Sequence, residues 1–361
     1  MKKWMFFIAA SMFAFAFASC SDEDDSTQSV VPEKGLVTFE ISTVNELSDG
    51  ITRAPLYSQE ASQHVTRVSV YAFRYVSASS AYLYEKTYTV AGWSDGTSFK
   101  RFAIPDDDKL PAGTYKFLAV GRDASDLFSV TSPTASTTYG DMLATITNTG
   151  EESEIFSGSA DATITAQGAR VSIEMTRKVA GILGYFKNIP QQMNGRTVQY
   201  LRLSVSNSSQ QVNLTSGTGL NTTSNSYNII NIDLYGQNVV NGVYTGNDLS
   251  SQGVVKVNNS QLAGAFYLPV SGITMTLGLY DAAGNAIKEW IVKDSNGNAT
   301  TFDILANHFY ALGTKGVAGS TNGGTPGDTG DDDNPIDLLT DQNIIISITP
   351  AWSLIHNLTI Q

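Results

Sequence analysis

Three histidines are the residues of this chain best suited to act as general bases or metal ligands: His64, His308 and His356. Nucleophilic catalysis needs a nucleophile beside a base that a third group orients. The histidines lie far apart in the sequence, and none falls in a hydrolase, phosphate-binding or zinc-protease motif. His308 and His356 lie in alternating apolar stretches that are typical of strands. The sequence therefore predicts no catalytic residues and no enzyme.

Two runs of aspartate, residues 106–108 and 331–333, are the other groups that could collect a cation. Neither has the alternate-residue ligand spacing of a calcium-binding loop, so we interpret them as turn and linker charge. The single cysteine excludes a disulfide framework and a thiolate metal site within the chain. We expect no metal and no cofactor.

That cysteine, Cys20, is a candidate for acylation because it directly follows a secretory signal. Lys2 and Lys3 precede an apolar run of about 15 residues, which is too short for a comfortable membrane span. Residues 17–20 read F-A-S-C and resemble a bacterial lipobox, in which the cysteine is acylated (for example with palmitate). The sequence predicts a lipoprotein anchored in a membrane by the lipid on Cys20; the alternative is an ordinary signal with an incidental cysteine.

A long polar segment after the first predicted strand contains Arg53, followed by Ala54. Long exposed loops are preferred sites of proteolytic nicking. A basic residue in such a loop is unremarkable by itself, so the residues alone do not assign Arg53 a role.

Composition limits the class of protein. A formal charge of −12 argues against nucleic-acid binding, which needs a basic surface. The 361 residues suffice for two domains with sizeable cores. Only 16% of residues are charged, which is typical of an extracellular β-rich protein with a polar surface.

The elements that would position these residues are short strands. In residues 36–43, Val37, Phe39 and Ile41 share one face, which predicts a first strand. Many further short strands follow without a sustained helical period, so we expect a sandwich or barrel. We interpret residues 126–153 as a looser polar stretch and the Asn-rich residues 206–247 as long loops with weak strands.

The last nineteen residues, 343–361, are rich in apolar side chains up to the penultimate residue, Ile360. Their apolar positions alternate and predict two consecutive strands divided at Pro350, which cannot donate to a strand ladder. Ile344, Ile346 and Ile348 share one face before Pro350, and Leu354, Leu358 and Ile360 share a face after it, with His356 among them. Trp352 is counted with the same pair of strands. Chain ends are usually polar, so we expect this one to be buried against its own domain or another molecule.

Several of these motifs, taken in order, resemble the fimbrillin family of Bacteroidetes, the type V pilins similar to the Porphyromonas major fimbrillin. The matching segments are F-A-S-C (17–20), L-V-T-F-E-I-S-T (36–43), T-R-A (52–54), V-T-R-V-S-V-Y-A-F (65–73), V-S-I-E-M-T-R-K-V-A-G-I (171–182), N-H-F-Y-A-L (307–312) and the terminal segment 333–352 with Trp352. The resemblance covers nearly the whole chain, although Phe17 and the Asn-rich insert depart from the family pattern.

This resemblance implies two tandem transthyretin-like Greek-key β-sandwich domains and no enzymatic activity. It implies a precursor held in the outer membrane by Cys20, then cleavage between Arg53 and Ala54 by a trypsin-like protease. Cleavage would release the strand with Val37, Phe39 and Ile41, and the terminal strands of a neighbouring subunit would replace it in an extracellular fimbria. Partners would be copies of itself and other fimbrial subunits.

The predicted organisation is a signal peptide at 1–19, a tether and cleavable propeptide at 20–53, an N-terminal sandwich at 54–177, and a C-terminal sandwich at 178–361 with a linker at 313–335 and donor strands at 343–361. The preferred role is an adhesion-supporting stalk subunit. The alternatives are an anchor or tip subunit of the same fimbria, or a surface glycan-binding lipoprotein.

Overall fold

A computed structural model describes residues 36–43, 64–94, 97–252, 254–294, 296–315, 333–341 and 343–350. Within these residues the chain forms strands and three short 3-10 turns, Asp106–Asp108, Tyr139–Asp141 and Ser250–Gln252. The predicted all-β class is confirmed. None of the helical turns in the described part is long and apolar enough to cross a membrane.

The strands are numbered in chain order. Those of the first half are β1 Val37–Thr43, β2 Arg67–Val76, β3 Ala81–Thr89, β4 Phe99–Ala103, β5 Gly113–Arg122, β6 Ser129–Val130, β7 Leu143–Thr145, β8 Ile155–Ile164 and β9 Ala169–Arg177. Those of the second half are β10 Ala180–Lys187, β11 Gln192–Met193, β12 Arg196–Thr197, β13 Tyr200–Val205, β14 Ser208–Asn213, β15 Gly219–Thr223, β16 Tyr227–Asp233, β17 Val239–Val240, β18 Val243–Tyr244, β19 Ser260–Tyr267, β20 Val270–Ile273, β21 Met275–Tyr280, β22 Ala286–Lys293, β23 Phe302–Ile304 and β24 Phe309–Leu312. The last strands are β25 Ile336–Asp337, β26 Ile344–Ile345 and β27 Ser347–Thr349.

Strict alternation explains why β9 forms a half-buried strand. Val171, Ile173 and Met175 are buried, whereas Arg170, Ser172 and Glu174 between them are exposed. Successive side chains of a strand point to opposite faces, so this spacing makes one apolar and one polar face.

The first half is a seven-stranded sheet in the order β3-β2-β5-β8-β9-β1-β4. β8 and β9 pair only at Phe156↔Arg177 and Ser157↔Thr176. At this short connection the sheet folds back, so that β9, β1 and β4 face the other four strands. As a result, the ring of Phe39 in β1 lies 4.9 Å from the ring of Phe117 in β5, three positions away in strand order. The layer β9-β1-β4 therefore packs on the layer β3-β2-β5-β8 as a sandwich with an apolar core between them.

A second core lies on the outer side of β2 and β5, beneath a four-stranded sheet in the order β15-β14-β7-β6. This sheet comes from residues 126–153, where a looser polar stretch was expected, and from residues 206–247, where the weak strands expected among long loops pair with it. Met142, Ala144, Val212 and Leu214 are buried beneath it. These strands have only two to six residues each and few apolar positions, which leaves too short a pattern to recognise.

The second half is also a two-layered sandwich. Its sheets run β19-β10-β24-β27 and β16-β13-β21-β22-β26, and a large apolar core lies between them. All described residues belong to one compact unit of the chain, Pro32–Gln361. The two-domain division after Arg177 and the transthyretin-like topology stay predictions.

Candidate functional site

The first predicted strand is present as β1, in the middle of the layer β9-β1-β4. It pairs in parallel with β9 over Val37–Thr43 and antiparallel with β4 over five residue pairs. The backbone of Leu36 accepts a hydrogen bond from Ala169 N at 3.1 Å, and Thr43 N donates to Ser98 O at 2.8 Å. β1 therefore occupies a slot one strand wide, with a hydrogen-bonding partner on either side.

The inward face of β1 fills the first sandwich. Phe39 and Ile41 are fully buried and Val37 is 3% exposed. The Phe39 ring meets Phe117 edge-on at 4.9 Å and stacks on Phe102 at 6.5 Å. Each of these three apolar residues lies in the core; that their strand can be displaced is implied only by the family resemblance.

The outward face of β1 carries a carboxylate held by both neighbouring strands. Arg101 Nη2 of β4 donates to Glu40 Oε1 at 2.8 Å, and Arg170 Nη2 of β9 donates to the same oxygen at 2.5 Å. Ser172 Oγ is 3.3 Å from the other oxygen. The hydrogen bond from Arg170, followed by that from Arg101, holds the pKa of Glu40 below its usual value although burial opposes this.

A glycine lines the entrance of the slot. Gly168 has φ +83°, and a Cβ built on it would lie 2.0 Å from the carbonyl oxygen of Leu36. No side chain fits at that distance, so the close approach of the β1 backbone depends on this glycine.

The backbone of His64, shortly before β2, lies beside a buried ion pair. His64 N donates to Glu154 Oε2 at 3.1 Å, and Arg177 Nε donates to Glu154 Oε1 at 2.7 Å. Arg177 is 1% exposed and lies over the Phe156 ring at 5.0 Å. These contacts tie the approach to β2 to Glu154 and to the end of β9.

The described part of the tail belongs to the second half. β26 pairs with β22, and β27 pairs with β24. Ile344 and Ile346 are fully buried in the second core, and Ile348 is half-buried against it. The division between the two strands falls at Ile346, whose N–H donates to Lys293 O at 2.9 Å. Two short strands therefore lie where one strand was expected before Pro350, and β27 ends at Thr349, directly before that proline. The strand expected after Pro350 lies outside the described residues.

The remaining predicted site residues lie outside the described residues. They are Cys20, Arg53, Ala54, Trp352, Leu354, Leu358 and Ile360. His356 is among the same undescribed residues.

The described residues contain no group of three or more His, Cys, Asp or Glu side chains that could hold a metal ion. His308 Nδ1 lies 2.9 Å from Ala306 O, and its ring stacks on Tyr310 at 6.4 Å. These contacts with the backbone and with a neighbouring ring indicate a packing role for His308.

Sequence reasoning missed the Glu40 contacts. The available signal was an acid in the middle of an otherwise apolar and β-branched strand, with no charge nearby in sequence to pair with it. Its arginine partners are 61 and 130 residues away, so no local pattern shows them.

The family model for "fimbrillin-A associated anchor proteins Mfa1 and Mfa2" matches residues 32–358. The chain belongs to this family. The resemblance to fimbrial subunits is thereby confirmed, and this member of the Mfa1/Mfa2 family is a fimbria-associated cell-surface protein of a family that is not enzymatic.

Solved structures similar to this Mfa1/Mfa2 family member include the fimbrial anchor protein Mfa2 from Porphyromonas gingivalis. It is 12% identical over 77% of this chain and 90% of that chain, with a TM-score of 0.42. A candidate cell adhesion protein from Bacteroides eggerthii is 12% identical over 89% of this chain and 97% of that chain, with a TM-score of 0.45. No curated protein matches the chain.

Proposed function

We propose that this chain is a fimbrial stalk subunit that exchanges β1 for a strand of a neighbouring subunit. It is exported as a lipoprotein acylated on Cys20, and a trypsin-like protease cuts between Arg53 and Ala54. The released segment includes β1, and the open slot then accepts the incoming strand. The observation that carries the proposal is the location of β1 between β9 and β4 with its apolar face in the core.

An empty slot would strongly favour refilling. Loss of β1 leaves unpaired backbone groups on both β9 and β4, and unpaired strand edges recruit further strands. Burying three side chains like Val37, Phe39 and Ile41 is worth roughly 5–9 kcal/mol before ordering costs. A head-to-tail contact of this kind does not close, so it builds a filament.

The donor that this subunit offers to a neighbour is its own tail, residues 343–361. β26 and β27 are the outermost strands of their sheets and contribute two and three residues. Release of the described part, residues 343–350, therefore breaks short ladders at two edges and, among the described strands, opens none in the middle of a sheet. Its partners are other fimbrial subunits.

A second candidate role is the fimbrial anchor. The description of the matching family supports it, because that family is named for anchor proteins. In that role the chain keeps its lipid on Cys20 and keeps β1 in the slot. The two roles therefore differ in whether Arg53 is cut.

Mass spectrometry of the protein from native cells tests the proposal. We expect a mature N-terminus at Ala54 and a lipidated, uncut precursor from Arg53→Ala. Arg53→Lys is the matched control, since a trypsin-like protease also cuts after lysine. An uncut, lipidated chain in wild-type fimbriae would overturn the stalk role in favour of the anchor.

A further inference from the structure

The rim of the β1 slot carries two positive charges that face each other across the strand. Arg101 lies on β4 and Arg170 on β9, with side chains 45% and 50% exposed. Both reach the Glu40 carboxylate, whose side chain is 10% exposed. Without the occupant, these two guanidinium groups lose the carboxylate they share.

Further along β9, the charge on the rim of the slot is negative instead of positive. In the parallel register, Ser42 of β1 lies opposite Glu174 of β9, which is exposed on the outward face. An acid at the position of Glu40 is therefore attracted by Arg101 and Arg170. An acid two residues later would lie beside a like charge, which is unfavourable for directly opposed residues on a sheet.

The chain's own tail has the apolar spacing of β1 without its charge. When 36–43 and 343–350 are aligned from their first residues, Val37, Phe39 and Ile41 coincide with Ile344, Ile346 and Ile348. Glu40 then coincides with Ser347. Residues 343–361 contain no aspartate or glutamate. The tail can therefore match the apolar half of the slot and leaves the two arginines without an acid.

We propose that Arg101 and Arg170 select the strand that enters this slot: a strand of a different fimbrial subunit with a carboxylate between two inward apolar residues, at the position of Glu40. This inference rests on the proposed strand exchange and names its partner by chemistry. The same contacts set the register of the incoming strand, because only one alignment places its acid between both arginines.

Peptide exchange on the full chain tests the selection. A sequence-specific protease site inserted after Arg53 lets β1 be cut free from the rest of the chain without relying on the natural protease. Fluorescent eight-residue peptides then compete for the slot, and their affinities are measured by polarisation. The probes are the 36–43 peptide, its Glu40→Gln form, and a Glu40→Gln, Ser42→Glu form with the same charge at the shifted position. The tail is represented by the 343–350 peptide with and without Ser347→Glu.

We expect Glu40→Gln to weaken binding by about three- to tenfold, the range for charge-assisted hydrogen bonds to half-exposed arginines. Moving the acid to position 42 should not restore the affinity. Ser347→Glu should strengthen binding of the tail peptide by a similar factor. In the Arg101→Gln, Arg170→Gln chain the charged and neutral peptides should bind alike, although apolar burial still holds them.

The outcomes separate this inference from the function on which it rests. If no peptide enters the cut chain, strand exchange itself fails and the selection falls with it. If all peptides enter with equal affinity, strand exchange stands and the charge selection is overturned. Equal binding of the 40- and 42-position acids would equally overturn it, since net charge alone would then explain the preference.

Discussion

β1 and the tail have the same apolar alternation but different places in their sheets. β1 pairs over seven residues with β9 and over five with β4, in the middle of a layer. The described tail is split into strands of two and three residues, each the outermost strand of its sheet. Both segments nevertheless bury inward side chains: Phe39 and Ile41 of β1 and Ile344 and Ile346 of the tail are fully buried.

The difference shows that burial alone does not decide how easily a strand can leave. β1 has partners on both sides, so it cannot be withdrawn without opening two ladders at once. The tail can separate from one short ladder at a time, and edge elements with few backbone bonds open at low free-energy cost. In the proposed strand exchange, the segment to be replaced and the segment to be donated therefore differ in how many ladders hold them.

The largest test of the comparison is a pair of core truncations. Phe39→Ala should lower the free energy of unfolding by about 3–5 kcal/mol, because it removes a fully buried ring in contact with Phe117. Ile346→Ala should cost about 2–3 kcal/mol, at the low end for such changes, because the edge strands around it can adjust. Chemical denaturation of the full chain measures both. Equal losses would break the comparison, since the tail would then be held as firmly as β1.

Two glycine-to-alanine substitutions should have smaller effects on stability. Their difference measures how much the close approach of the β1 backbone to Gly168 matters. Gly168→Ala should cost about 2–3 kcal/mol, because the left-handed φ and the contact with Leu36 O both oppose a Cβ. Gly236→Ala is the matched control: its φ is +75° and nothing lies within 4 Å of the added Cβ, so it should cost only about 1 kcal/mol. Thermal or chemical unfolding gives both values. If the two losses are the same, the close approach of β1 to Gly168 contributes nothing.

The smallest expected effect concerns charge. The pKa of Glu40 is lowered in the folded chain, so its ion pairs stabilise the protein fully above the ordinary value of 4.5 and are lost as the pH falls through the lowered value. Glu40→Gln should therefore cost about 1 kcal/mol at pH 7 and progressively less in acid. Exposed Glu174→Gln on the same layer is the control and should change little. Parallel stability curves for wild type and Glu40→Gln from pH 7 to pH 3 would contradict this.

The sequence was enough to predict the all-β class, β1 and the inward residues of the tail up to Ile348, because period-two alternation is a local signal. It did not reveal the four-stranded sheet above β2 and β5, whose strands are too short and polar to show a period. The split of the tail at Ile346 depends on which strand of which sheet lies beside it, here β22 and β24. The Glu40 contacts join three strands brought together only by the fold.

The parallel pairing of β1 with β9 has a consequence for the order in which the chain can fold. β1 is made early, yet Arg170, which binds its Glu40, follows 130 residues later. At synthesis rates of about 5–20 residues per second, that separation lasts roughly 7–26 seconds. During that interval β4 is the only sheet neighbour β1 can gain, and its apolar face has no complete core to enter. Completion of the first sandwich is therefore a late event, and the newly made segment needs shielding until then.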